Sequence, residues 1–242
     1  MKLHKKMKTI LPLAAATAAF ALSANAATVI PGVEIFAHNE KGNYGGEPQD
    51  VISMSGFNGV GQDDNAVQSG DPATWTRTYS GYQAEWQSGD LLAGGESPTN
   101  GKIGWAVIDL GSIQNLADLH IWHIRENPDR VATDFNILFA NAPTVAPSNG
   151  PTSGTSIDYN FASGGWALHS NNTDGVRNGY DVIDVSGISA RYIGLEILAN
   201  NGDGIRTGFA AVAATAGAPI PEPTTTALLG LGGLALILRR RK

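Results

Sequence analysis

Apolar residues recur at every second position in several short runs of this chain, and that period decides the fold class first. Ile108 and Leu110 alternate with Val107 and Asp109, and Leu119, Ile121 and His123 alternate with His120, Trp122 and Ile124. Phe135, Ile137 and Phe139 share one face of a third run, and Ile193, Leu195 and Ile197 share one face of a fourth. Successive side chains of an extended strand point to opposite faces, so this period marks β-strands. Gly111-Ser112, Asn127-Pro128-Asp129, Asn149-Gly150-Pro151 and Asn200-Asn201-Gly202 separate the runs with residues that suit turns. No helical period persists beyond two turns. The body of the chain is therefore expected to be all-β, an antiparallel β-sandwich or barrel. Pro143–Ser156, rich in Pro, Ser, Thr and Gly, is expected to be a mobile loop.

The two ends follow other rules. Lys2, Lys5, Lys6 and Lys8 lead into an apolar stretch from Ile10 to Leu22, followed by Ser23-Ala24-Asn25-Ala26. A basic start, a short apolar run and small residues at Ala24 and Ala26 describe an export signal, so residues 1–26 are expected to be cut by signal peptidase after Ala26. At the other end Pro219, Pro221 and Pro223 exclude regular structure. Beyond them Ala227–Leu238 carries no charge, and Arg239-Arg240-Arg241-Lys242 closes the chain. A permanent span needs about 20 apolar residues, so this shorter run suits a transient inner-membrane contact with its basic end held on the cytoplasmic side.

Pro221-Glu222-Pro223, the run Leu228-Leu229-Gly230-Leu231-Gly232-Gly233-Leu234 and the closing arginines resemble the PEP-CTERM sorting signal of Gram-negative bacteria. The resemblance implies recognition by an exosortase, a membrane cysteine protease-transpeptidase. It further implies removal of the tail and delivery to the cell surface or the extracellular polymer matrix. Three segments follow: a signal peptide over 1–26, a β-sandwich over 27–217 and a sorting signal over 218–242. A signal helix and a short apolar C-terminal helix are expected to flank the sandwich.

The body carries a second resemblance. Trp105-Ala106-Val107-Ile108-Asp109-Leu110-Gly111, Leu119-His120-Ile121-Trp122, Arg130–Ile137 and Ala190–Glu196 follow one another as in discoidin-like, galactose-binding-like jelly rolls. Val51–Gly61 and Trp86 resemble the exported, sorting-tailed members of that group. The resemblance implies a jelly roll, and many of its members hold a structural calcium near an acidic residue of the last strand. This chain departs there, with Ala211 in that place.

Charge and composition narrow the function. Of 16 Lys and Arg, half lie in the two terminal clusters, so the stretch between keeps 8 against 21 of the 22 acids, a net −13. That acidity argues against a nucleic-acid partner and favours a neutral glycan, or an acidic one bridged by calcium. The absence of Cys removes disulfides, thiolate metal sites and thiol catalysis together.

Among candidate chemistries, Asp109 and Glu196 are acids on expected strands, but nothing sets them facing each other across a cleft as a glycosidase pair, and no Gly-x-Ser-x-Gly elbow marks a serine hydrolase. His120 and His123, three apart on a strand, point to opposite faces and make no local zinc site. Asp63, Asp64 and Asp71 are hard oxygen ligands in a flexible segment and are the expected calcium ligands, with Asn200–Gly204 a second oxygen-rich loop. Sugar sites combine an aromatic plate with polar side chains for the hydroxyls. Arg77 and Trp86 from one group, and His123, Arg125, Asn127 and Arg130 from another, are the expected ligand-binding residues. The expectation is a non-enzymatic, carbohydrate-binding surface protein. The alternatives are a structural or adhesive biofilm-matrix protein without a specific small ligand, and a polysaccharide-acting hydrolase.

Overall fold

The computed structural model describes residues 27–217 except 32, 40–45, 80, 89–101, 151–155, 174–175 and 177–178. The expected signal helix and C-terminal helix lie outside the described residues. Among those residues there are nine strands and only short 3-10 turns: β1 (Glu34–His38), β2 (Trp86–Gln87), β3 (Gly104–Trp122), β4 (Ala132–Ala140), β5 (Ala167–Thr173), β6 (Tyr180–Asp184), β7 (Ser189–Asn200), β8 (Gly208–Phe209) and β9 (Ala211–Ala216). All strand pairs are antiparallel.

The long strand β3 organises the fold because it belongs to two layers. Its first half joins a five-stranded sheet ordered β1-β3-β7-β4-β5, and its second half pairs with β6 on one side and β9 on the other. Gly111-Ser112, expected as a turn between two strands, instead lies within this single strand. Gly111 has φ 77°, a conformation open to glycine, and its N–H donates to Asp109 Oδ1 at 2.8 Å. The register shifts between Asp109 and Gln114, where the strand passes from one sheet to the other.

The period-two residues meet between the layers. Ile108, Leu110, Leu119, Ile121, Phe135, Ile137, Phe139, Ile193, Leu195 and Ile197 all belong to one buried cluster. The intervening positions are buried too, because each outer face has its own cover. Trp105, Val107, Leu138 and Tyr192 on the larger sheet lie under Tyr159, Phe161 and Trp166. Trp122, Ala211 and Ala213 on the smaller sheet lie under Met54, Phe57 and Trp75. Double coverage explains why stretches such as Trp105–Ile108 are apolar at every position.

The stretch expected to be a mobile loop serves one of these covers. Gly150 N–H donates to His38 O at 2.8 Å, Ile157 N–H to Asn39 O at 3.1 Å, and Tyr159 O–H to Val145 O. Lys102, fully buried, ties the cover down: its Nζ lies 2.9 Å from Asp158 Oδ1, 2.7 Å from Tyr159 O and 3.4 Å from Glu196 Oε1.

Strand direction defines two poles. Gly104, the segment after Trp122, the segment between Asn200 and Gly208, and Trp86–Ser88 meet at one pole through Asp203 N–H to Asp129 O, Ser88 N–H to Thr207 O and the Val131–Gly208 bridge. At the opposite pole Gly217 N–H donates to Asn115 O, Ala216 N–H to Thr28 O, and Val29 bridges Thr215. Both ends of the described domain therefore emerge together, one β9 length of roughly 20 Å from the first pole.

Candidate functional site

The first pole is built on a buried carboxylate. The ribbon β2–β8 pairs Trp86 with Phe209 and Gln87 with Gly208. It approaches so closely that a Cβ on Gly208 would lie 2.0 Å from Trp86 O. Glu85, just before this ribbon, is fully buried. It accepts from the Arg77 guanidinium, from Arg125 N–H at 2.9 Å, from Glu126 N–H at 3.3 Å and from Gln87 Nε2 at 3.5 Å. Burial pushes its carboxyl above the usual range, and Arg77 pulls it back. Arg77 also donates to Tyr79 O and Ala84 O and lies over the Phe57 ring. An internal guanidinium thus binds two carbonyls and a carboxylate in one cradle.

Above Glu85 a second set of polar groups reaches the surface. Arg130 donates through Nε to Asp203 Oδ2 at 2.9 Å and through one terminal nitrogen to Gln87 Oε1 and Glu126 Oε2. Asp203 Oδ1 accepts from the backbone N–H groups of Ile205 and Arg206. Partial burial works against the charged form of Asp203, yet Arg130 and these amides hold its carboxyl below the usual range. The 123–131 and 200–207 segments are therefore fixed to each other, with Ile205 left 56% exposed beside them.

The expected ligand residues separate accordingly. Arg77, Arg125 and Arg130 join one network through Glu85 and Gln87. Trp86 is a correction: it is fully buried in the main core and offers no exposed plate for a sugar. His123 is likewise buried against Phe135 and Phe209, with Nε2 2.7 Å from Asp181 Oδ2. His120 lies on the outer face, so the two histidines do point to opposite sides. Asn127 Oδ1 accepts from Asp129 N–H and caps the 128–130 turn.

The expected calcium ligands are not brought together. Asp63 Oδ1 accepts from Asn65 N–H, and Asp71 Oδ1 from Ala73 N–H as the cap of the 72–74 turn. Asp64 faces another way, toward the fully buried Asp50. Among the described residues no group of three or more His, Cys, Asp or Glu is placed to hold a metal ion. At the position where the resemblance leads to an acidic residue, Ala211 packs beneath Trp75. Asp109 and Glu196 are also spent separately: Arg191 holds Asp109 at 2.9 and 2.8 Å, and Lys102 with Asn136 holds Glu196.

Glu85, Gln87 and Asp203 were not among the expected site residues. Asp203 lies in the oxygen-rich loop, whose partner is Arg130. Glu85 had one local signal, an acid directly before a Trp in a segment with little other charge.

Residues 219–242 match the PEP-CTERM protein-sorting motif. No curated protein matches this sequence. Among solved structures the chain is similar to the family 32 carbohydrate-binding module of C. perfringens NanJ in complex with galactose, at 13% identity over 78% of this chain and 98% of that chain, TM-score 0.43. It is similar to a Streptococcus pneumoniae fucose binding module at 11% identity over 77% and 91%, TM-score 0.42. A fucolectin from striped bass (Morone saxatilis) serum shares 12% identity over 80% and 49%, TM-score 0.46.

Proposed function

We propose that this chain, which ends in a PEP-CTERM protein-sorting motif, is an exported, exosortase-processed surface or matrix protein whose discoidin-like jelly roll binds carbohydrate without catalysis. One observation carries the reading: the pole that holds the Glu85-based loops lies opposite the pole from which the sorting tail departs, after Gly217 beside Asn115. A domain anchored at that end after processing turns the 125–130 segment, with Asp129 exposed and Arg125, Asn127 and Arg130 half-buried, away from its anchor. These groups supply donors and acceptors for hydroxyls, and the exposed Ile205 supplies an apolar contact for a sugar ring. The net −13 of the interior repels polyanions at long range, so the ligand is a neutral glycan or an acidic one bridged by calcium.

Processing follows from the two ends. Signal peptidase removes Met1–Ala26, and exosortase cuts near Pro221-Glu222-Pro223 while the apolar run engages the inner membrane. Intact-mass measurement of the surface-released protein should show both losses. Retention of Arg239–Lys242 in that material refutes exosortase processing.

For the ligand, a glycan array followed by calorimetry on the purified chain should identify a neutral oligosaccharide. Arg125→Ala should weaken it at least tenfold, about 1.4 kcal/mol, with the unfolding midpoint unchanged. An array without any retained glycan, together with loss of matrix cohesion on deletion of the gene, favours the purely structural role instead.

A further inference from the structure

A column of aromatic rings stands on the outer face of the smaller sheet, away from the loops just described. His120 and Trp122 project from β3 on that face, and in register beside them stand Val182 and Tyr180 of β6 and the small residues Ala213 and Ala211 of β9. The alanines leave room for Trp75, which stacks on Trp122 with centroids 5.1 Å apart and planes at 15°. Tyr180 stacks near Trp122 at 4.8 Å and beside His120 at 5.9 Å. The Tyr180 hydroxyl and His120 Nδ1 are hydrogen-bonded.

Trp75, Trp122 and His120 are all buried, but Tyr180 is 39% exposed and its remaining face meets no aromatic ring among the described residues. A second feature lies beneath it: His120 is 4% exposed, and its Nε2 has no hydrogen-bond partner. Burial holds its imidazole below the usual pKa, so the ring is neutral at pH 7. The charges that reach Tyr180 and His120 are the carboxylates Asp71 and Asp118. Among the described residues neither has a cation among the groups that shift it.

The geometry points to a second carbohydrate site at Tyr180, separate from the loops, that takes a neutral pyranose. The open ring face receives the apolar face of the sugar, supported from behind by Trp122 and Trp75. Asp71 and Asp118 accept hydrogen bonds from its hydroxyls and repel an acidic sugar. This site stands on its own stacked rings, so it does not depend on the loop reading. A chain with two such sites on different faces can bridge two strands of a neutral polymer, and the bivalence raises its avidity.

The test uses the purified full chain, with tryptophan emission as the signal, since Trp122 and Trp75 form the column behind Tyr180. The probes are neutral hexasaccharides of glucose, galactose and mannose, with polygalacturonate as the acidic comparison. At least one neutral hexasaccharide should shift the emission at about 10 mM or below, the range of a single stacked sugar. Tyr180→Ala should weaken that titration tenfold or more, Tyr180→Phe should stay within about threefold because the ring remains, and in Arg125→Ala the Tyr180-dependent emission change should persist whatever happens to binding at the loops. The unfolding midpoint of each variant separates loss of the site from loss of the fold. The proposal is overturned if Tyr180→Ala titrates like the parent chain, if polygalacturonate binds as tightly as the neutral sugars, or if no neutral hexasaccharide moves the emission. A response lost in Arg125→Ala but kept in Tyr180→Ala belongs to the loops, and likewise overturns the second site while leaving the loop reading standing.

Discussion

Replacing Asp50 by Asn should make the protein more stable at neutral pH and flatten its pH dependence. Asp50 sits in the 48–52 turn, fully buried, with Oδ2 accepting from Glu47 N–H at 2.9 Å. Only the Ser55 hydroxyl and the Glu47 N–H favour its charged form, and among the described residues neither its Oδ1 nor the buried Oδ1 of Asp64 has a hydrogen-bond partner. Burial first, and then the neighbouring Asp64, raise the Asp50 carboxyl from 3.8 to about 9. A proton kept on Asp50 supplies the donor that both oxygens lack. The folded state holds this proton where the unfolded chain has released it, so its contribution is complete below pH 3.8 and fades as pH rises toward 9.

At pH 7 the retained proton costs about 4 kcal/mol, taking about 1.4 kcal/mol for each pH unit above the unfolded pKa. Asparagine keeps the same shape, accepts from Glu47 N–H through its oxygen and offers Asp64 an N–H without any proton to retain. Urea unfolding should therefore show Asp50→Asn gaining about 2–4 kcal/mol at pH 7 and almost nothing at pH 4. Equal slopes of stability against pH in the two proteins would remove the shared proton from the account. A calcium ion held between the two carboxylates predicts the opposite sign, with Asp50→Asn less stable and a chelator lowering the parent's unfolding midpoint.

Much of the sandwich was legible in the period of its apolar residues, because burial between two sheets imposes that period directly. Ile108, Leu119, Phe135 and Ile193 lie on core faces for that reason. Gly111 misled because a glycine reads alike whether it ends a strand or bends one, and only pairing partners tell the two apart. The strands β1, β5 and β6 left little trace: β6 reads Tyr-Asp-Val-Ile-Asp at a sheet edge, with most of its residues exposed, so no buried face writes a pattern into it. The site was harder still. Trp86 and His123 have the chemistry of sugar ligands, but their neighbours Phe209 and Phe135 lie far away in sequence, and nothing local reveals the burial. Asp63, Asp64 and Asp71 read as calcium ligands because they lie near one another in sequence, whereas in the fold Asp63 and Asp71 accept from the backbone amides of Asn65 and Ala73. The sorting tail needs no folding to be recognised, and it was read entirely from its order of residues.

Glu85 is the residue at which fold and candidate site are one problem. Deleting its side chain leaves Arg77 buried without its carboxylate and removes the acceptor for two backbone amides of the 125–126 segment. Breaking a buried pair from one side costs about 3–5 kcal/mol, chiefly through the charge left behind. Glu85→Ala should therefore lose that much stability in denaturant unfolding. The amides of Arg125 and Glu126 should also exchange with solvent at least tenfold faster than in the parent chain, about 1.4 kcal/mol of lost protection. Simple loss of packing would lower global stability without singling out those two amides. Removing both charges is the sharper discriminator. Arg77→Met with Glu85→Leu leaves no buried ion in this cradle, so the double variant should be more stable than either single one, although the Arg125 and Glu126 amides still lack their acceptor. If the two substitutions simply add, Arg77 and Glu85 are not a coupled pair, and the first pole is held by Arg130, Gln87 and Asp203 alone.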